Sequence, residues 1–156
     1  MKTGSKERDL FLKLCRFCAY RERAISEVKK KMDYLEVPIH EQKNYIDLLQ
    51  EEKFLNESRF AQSFANGKFR NNSWGKHKIV SSLREKRISL VDIEFAVMKL
   101  DEEDYQNTII KLIHKKKRTY SNENVLITRK RIADFLQRKG YELNLVWQLL
   151  KQELPD

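Results

Sequence analysis

Four apolar residues, Ile79, Leu83, Ile88 and Val97, recur along this chain as a set. Moved back 51 positions, the set falls on Val28, Met32, Val37 and Ile46; moved forward 53, it falls on Ile132, Leu136, Tyr141 and Leu150. All twelve positions are apolar or aromatic, and the internal spacings of 4, 5 and 9 are kept in every copy. Such a period marks a repeat array, in which units too small to bury an apolar face alone stack on their neighbours. The chain therefore reads as all-α, three tandem three-helix repeats: residues 1–53, 54–101 and 102–156.

The apolar spacing within each copy is helical. In the first, Leu10, Leu14, Phe17 and Cys18 make one stripe, Val28, Met32 and Leu35 a second, and Tyr45, Ile46 and Leu49 a third. Pro38 suits a first helical position. In the second copy, Phe60, Ala61 and Phe64, then Ile79, Val80 and Leu83, then Ile93, Ala96, Val97 and Leu100 do the same. Asn56 and Ser73 are expected to cap the first two of these helices, and Ser89 with Asp92 has the spacing of a capping box for the third. In the third copy the stripes are Tyr105, Ile109, Leu112 and Ile113; Ile132, Phe135 and Leu136; and Val146, Trp147, Leu149 and Leu150, with Asn144 as the expected last cap. Gly140 stands where a left-handed residue closes a helix, and Arg87 holds that place in the middle copy. Four glycines and two prolines in 156 residues leave little room for a turn-rich β protein.

Charge follows the same period. Lys and Arg exceed Asp and Glu by ten to five over residues 1–35, seven to one over 68–87 and ten to two over 105–140. Between these stretches the excess is acidic: six to three over 36–67, six to one over 88–104 and three to one over 141–156. In each repeat the first two helices are basic and the third acidic, so stacking predicts an elongated molecule with a basic and an acidic side. One charge run is ordinarily a solvated face; three in register are harder to read that way.

Nothing in the sequence resembles a catalytic constellation. There is no phosphate-binding glycine loop, no nucleophile elbow and no metalloprotease helix. Asp101 to Asp104 is a carboxylate run, but consecutive helical residues point around the axis and do not converge on a metal. An acidic first turn favoured by the helix dipole is the simpler reading. Cys15 and Cys18 lack a second ligand pair and read as buried free thiols. No enzyme activity, cofactor or metal is expected. No run approaches a membrane helix, and the first residues lack the apolar core of an export signal, so a cytoplasmic protein is expected.

The basic clusters are Lys29, Lys30 and Lys31; Arg70, Lys76, Lys78, Arg84, Lys86 and Arg87; Lys115, Lys116, Lys117 and Arg118; and Arg129, Lys130 and Arg131. Polyanion binding is their natural chemistry, because Lys and Arg release counterions condensed on phosphates. Trp74 and Tyr120 stand beside clusters and can stack on a base or pack; packing is favoured for Trp74. The helices around Trp74–Leu100 imitate a helix-turn-helix, yet an acidic third helix would be repelled from a DNA groove.

The middle repeat resembles the RecX family, regulators of the RecA recombinase. The family's segment L-x-x-x-G/F-Y/L-(N/D)-(D/E)-x-R-F/Y-A is matched at Leu49, Phe54, Leu55, Asn56, Glu57, Arg59, Phe60 and Ala61. Phe64, Arg70 and Gly75 follow, and Ile79, Leu83, Lys86 and Ile88 match the I-x-x-x-L-x-x-K-G-I helix. Arg16, Ala19, Arg21, Arg23, Glu27 and Val28 follow the family's R-x-x-A-x-R-x-R-S-x-x-E-L order in the first repeat. Ala24 departs from the family's Ser and Arg87 from its Gly. The resemblance covers nearly the whole chain and is weakest after Leu100.

It implies an elongated, curved array of three-helix modules. It also implies a regulator without catalysis of its own that lies in the groove of a RecA–DNA filament and modulates ATP hydrolysis and strand exchange in recombination and DNA repair. The implied partners are the RecA filament and its bound DNA, with direct DNA binding weak. A linear array needs no partner to complete its core, so a monomer is expected. The sixteen basic residues named above are the candidates for filament or DNA contact. Phe60, Phe64, Trp74, Gly75, Ile79, Leu83 and Ile88 are expected to pack. A general nucleic-acid-binding protein is the alternative.

Overall fold

The computed structural model describes residues 2–120 and 122–156, and these form helices in three successive sets. The first set is α1 (Lys2–Tyr20), α2 (Ile25–Tyr34) and α3 (Ile39–Glu51). The second is α4 (Glu57–Asn72), α5 (Lys76–Glu85) and α6 (Leu90–Met98), and the third is α7 (Glu102–Thr119), α8 (Val125–Arg138) and α9 (Leu143–Glu153). The described residues contain no strand.

The recurring apolar set is the device that ends the second helix of each repeat. The chain turns left-handed at Glu36, Arg87 and Gly140, with φ of 60°, 61° and 99°. Beyond each turn the same pair of bonds closes a Schellman motif. The Val37 N–H donates to the Met32 carbonyl at 2.9 Å, Ile88 to Leu83 at 3.1 Å and Tyr141 to Leu136 at 3.1 Å. The Glu36, Arg87 and Gly140 N–H groups donate to Asp33, Arg84 and Gln137 at 3.0, 2.9 and 2.9 Å. The spacing of 5 in sequence is thus the apolar contact that accompanies this cap, and the spacing of 4 is one face of the preceding helix. Eleven of the twelve recurring residues are buried, and Val97 is half-buried.

Local capping differs from the sequence reading at three places. Pro38 lies at the N-cap, with Ile39 the first helical residue. Ser73 does not cap α5; it closes α4 in a left-handed conformation, and Gly75 takes the N-cap of α5. Asn144 is one turn position inside α9, whose N-cap is Glu142. At the start of α5, contacts with the third repeat fix the helix end instead: Gly75 N donates to Lys139 O at 2.8 Å and Lys76 N to the Tyr105 hydroxyl at 2.9 Å. Asn56 does cap α4, accepting from Arg59 N at 3.0 Å. Ser89 accepts from Asp92 N at 3.3 Å and donates to the Asp92 carboxylate at 3.0 Å, so half of the expected box forms. Asp101 caps α7 by accepting from Asp104 N at 2.9 Å.

The apolar core divides into two bodies, not three. Leu14, Val28, Met32, Leu49 and Leu55 belong to one. The second and third repeats share the other, which runs from Phe60 through Ile79 and Tyr105 to Leu150. The accessible area of 10473 Å² exceeds the roughly 8,300 Å² of a compact protein of this mass, as an array of modules should.

Neighbouring repeats are joined by one recurring arrangement. The first free N–H of a repeat's second helix is taken by a side chain from the next repeat's first helix. Ile25 N donates to the Glu57 carboxylate at 3.0 Å, and Lys76 N donates to the Tyr105 hydroxyl at 2.9 Å. Tyr105 in turn donates to Glu142. Around the first joint, Arg59 bonds both Glu22 oxygens at 3.0 and 3.1 Å, Ser26 bonds the Lys86 carbonyl at 2.9 Å, and Glu27 accepts from Ala24 N at 2.9 Å. Around the second, Tyr141 donates to the Ser73 carbonyl at 2.7 Å, Gly75 N to Lys139 O at 2.8 Å and His77 N to Gly140 O at 2.9 Å.

Candidate nucleic-acid interface

The sixteen basic candidates fall into two physical groups. Six have carboxylate partners within 4 Å. Lys76 pairs with Glu102 at 3.2 Å, Arg131 with Glu123 at 3.1 Å and Arg129 with Asp156 at 3.0 Å. Arg70 stands 3.9 Å from Asp104, Lys86 3.9 Å from Glu27 and Lys130 4.0 Å from Asp134. Lys76 also lies 4.5 Å from the centre of the Tyr105 ring.

Arg129 departs from the others. It is only 8% exposed, and its guanidinium donates to the Leu154 carbonyl from Nε at 2.7 Å and again from Nη2. That arginine ties the end of α9 to α8 and presents little to a partner. Lys130 and Arg131, its neighbours, are exposed because successive helical residues point around the axis.

The remaining ten have no carboxylate within 4 Å among the described residues: Lys29, Lys30, Lys31, Lys78, Arg84, Arg87, Lys115, Lys116, Lys117 and Arg118. Three of these rest on aromatic faces, Lys31 at 5.3 Å from the Tyr34 ring, Lys78 at 4.7 Å from Trp74 and Lys116 at 4.2 Å from Phe135.

Around Trp74 the structure gathers cations that sequence separation hides. Lys78 of α5 lies 4.7 Å from the Trp74 ring centre and Lys68 of α4 lies 4.9 Å from it. The ring packs edge-on against Phe64, with centroids 6.3 Å apart, so Trp74 is chiefly a packing residue. Beside it, Lys139 reaches back to the Asn72 carbonyl at 2.7 Å. Partial burial, then the charges of Lys78 and Lys115, pull Lys139 below the ordinary lysine range. Lys68 and Lys139 lay outside the sequence-derived set; both precede residues that close a helix or enter the core, and only the fold brings them to Lys78.

The packing residues are where the spacing placed them. Phe60, Ile79, Leu83 and Ile88 are buried, Phe64 and Trp74 half-buried. Gly75 is buried because the backbone of Gly140 leaves no room for a Cβ. Arg21, Glu27, Glu57, Arg59 and Lys86, which carry the resemblance, all serve the first joint. The motif residues therefore fasten the first module to the second. Cys15 and Cys18 are buried free thiols, and burial pushes Cys18 up to about 11, away from the range of a reactive thiolate. No described helix is long and apolar enough to cross a membrane.

Three-helix modules in tandem, joined by carboxylate and tyrosine caps, define an all-helical repeat protein. Residues 56–97 match the second three-helix domain of RecX and residues 102–150 match the third. The chain belongs to the RecX family. It is 25% identical over 136 residues to a regulatory protein RecX of Bacillus pumilus, covering 87% of this chain and 52% of that protein. Against a regulatory protein RecX of Streptomyces coelicolor it is 24% identical over 134 residues, covering 86% and 70%. This chain spans about half the length of several of the curated relatives it matches. A crystal structure of a regulatory protein RecX superposes with a TM-score of 0.86 at 21% identity, over 97% of this chain and 74% of that one. RecX from Lactobacillus salivarius superposes with a TM-score of 0.85 at 18% identity, over 92% and 93%.

Proposed function

We propose that this protein is a non-enzymatic regulator of a RecA-type recombinase, which lies along the RecA–DNA filament and lowers its ATP hydrolysis and strand exchange. The observation that carries this reading is the family's tandem three-helix architecture together with cations left unpaired along it. A periodic array suits a periodic partner, and unpaired lysines suit the phosphates that a filament encloses. The protein acts as a cytoplasmic monomer in recombination and DNA repair, with module boundaries near residues 53 and 101.

Titration of this protein into the cognate recombinase on single-stranded DNA tests it. Substoichiometric protein should lower the DNA-dependent ATPase. An unchanged rate at equimolar protein rejects the reading. The lysines around Trp74 favour a second reading, a general nucleic-acid binder. Tight binding to naked DNA, no weaker than to the filament, would establish that one instead.

A further inference from the structure

We infer that Lys68, Lys78 and Lys139 form a binding site for the phosphodiester backbone of a single nucleic-acid strand, built across the joint between the second and third repeats. The inference rests on the regulatory reading only in naming the strand as the one a filament would carry.

Three elements supply the site. Lys68 lies near the end of α4, Lys78 in the first turn of α5 and Lys139 at the end of α8. The approach of Lys78 to Lys139 is held by backbone, not by chance side-chain placement. A Cβ on Gly140 would meet Lys78 Cβ at 2.5 Å, so the residue after Lys139 touches Lys78 directly. Gly75 N to Lys139 O, at 2.8 Å, fastens the same two segments.

Two lysines are further oriented. Trp74 holds the ammonium groups of Lys68 and Lys78 against its ring at 4.9 and 4.7 Å. The Asn72 carbonyl, at the C-terminal end of α4, holds the Lys139 ammonium at 2.7 Å.

None of the three has a carboxylate within 4 Å among the described residues, although the chain carries 23 Asp and Glu. Other lysines at the joints are paired, as Lys76 is with Glu102 at 3.2 Å. Bringing like charges together is unfavourable unless an anion joins them. Lysines act as point charges toward phosphate, whereas planar carboxylate recognition favours Arg, and this cluster contains no Arg. A strand with a charge at every nucleotide matches several ammonium groups better than one isolated anion does. With its ring occupied by Lys68 and Lys78, Trp74 positions cations and does not stack on a base.

The test uses the full chain and a fluorescein-labelled oligo-dT strand without recombinase, with affinity followed by anisotropy as salt is raised. The variant Lys68→Gln, Lys78→Gln leaves Lys139 on Asn72. It should flatten the salt dependence by about 1.4 in slope, at roughly 0.7 per single-strand phosphate contact. Lys139→Gln alone should flatten it by about 0.7. A control, Lys6→Gln, Lys13→Gln, removes equal charge at scattered positions and should change the slope far less. Equal slopes for the two double variants, or an unchanged slope for the first, overturn the site. Unchanged strand binding with lost ATPase inhibition assigns these lysines to an acidic protein surface and also overturns it. Loss of the slope difference does not touch the wild-type ATPase result, so the two readings fail separately.

Discussion

The backbone of Gly75 lies directly on that of Gly140. A Cβ at Gly75 would stand 2.3 Å from the Gly140 carbonyl carbon and 2.4 Å from its oxygen. Both atoms belong to backbone and cannot rotate away. Gly75→Ala must therefore part the second repeat from the third or distort the start of α5. We expect a loss of about 2–3 kcal/mol, read as a lower urea midpoint. A variant of unchanged midpoint would show that the contact is not required.

Arg87 occupies the left-handed position that Gly140 holds in the third repeat, with φ of 61°. A non-glycine residue there costs roughly 1 kcal/mol. Arg87→Gly should raise stability by about that amount, measured by denaturant unfolding. Gly140→Ala should lower it, because φ is 99° and Lys78 Cβ blocks the added methyl at 2.5 Å.

Arg129 satisfies the Leu154 carbonyl within a nearly closed environment. Arg129→Met keeps much of the apolar stem and removes the donors. Leaving that carbonyl unpaired should cost about 2 kcal/mol. Hydrogen exchange should accelerate in α9 while the salt dependence of strand binding stays as in the wild type. A flattened salt slope would instead make Arg129 a contact residue.

Glu27 makes the first joint sensitive to acid. Burial raises its pKa, but the Ala24 N–H, Arg21 and Lys86 together outweigh burial and hold it below its ordinary value of 4.5. A carboxyl depressed on folding stabilises above its unfolded pKa, and this is lost as pH falls through the folded one. Glu57 runs the other way. Burial first, then Asp92, raises it against the Ile25 N–H and Lys29, so its contribution is greatest in acid and fades as pH rises. Glu27→Gln, which can still cap Ala24 N, should flatten the decline in thermal midpoint below about pH 4.5. An equally steep decline in the variant would place the acid sensitivity elsewhere.

Much of the architecture is legible because its causes are local. Helix faces, the Asn56 cap and the left-handed turn at Gly140 depend on residues a few positions apart. The expected cap at Ser73 failed where a neighbouring repeat, not the nearest polar side chain, sets the helix end, and at Asn144 because α9 already begins at Leu143. Gly75 could be marked as a packing position from its place in the motif, but its reason, contact with Gly140, lies outside its own repeat.

The sequence by itself determined an all-helical array: the period carries the Schellman contacts, and those contacts need only one helix and the residue after it. Tertiary structure decided the rest. It merged the second and third cores through Tyr105 and Tyr141, buried Arg129, and paired Lys76 while leaving Lys78 without a carboxylate. Whether a charge is neutralised depends on distances across joints between repeats. Those distances follow from how modules stack, which the order of residues within one module does not specify.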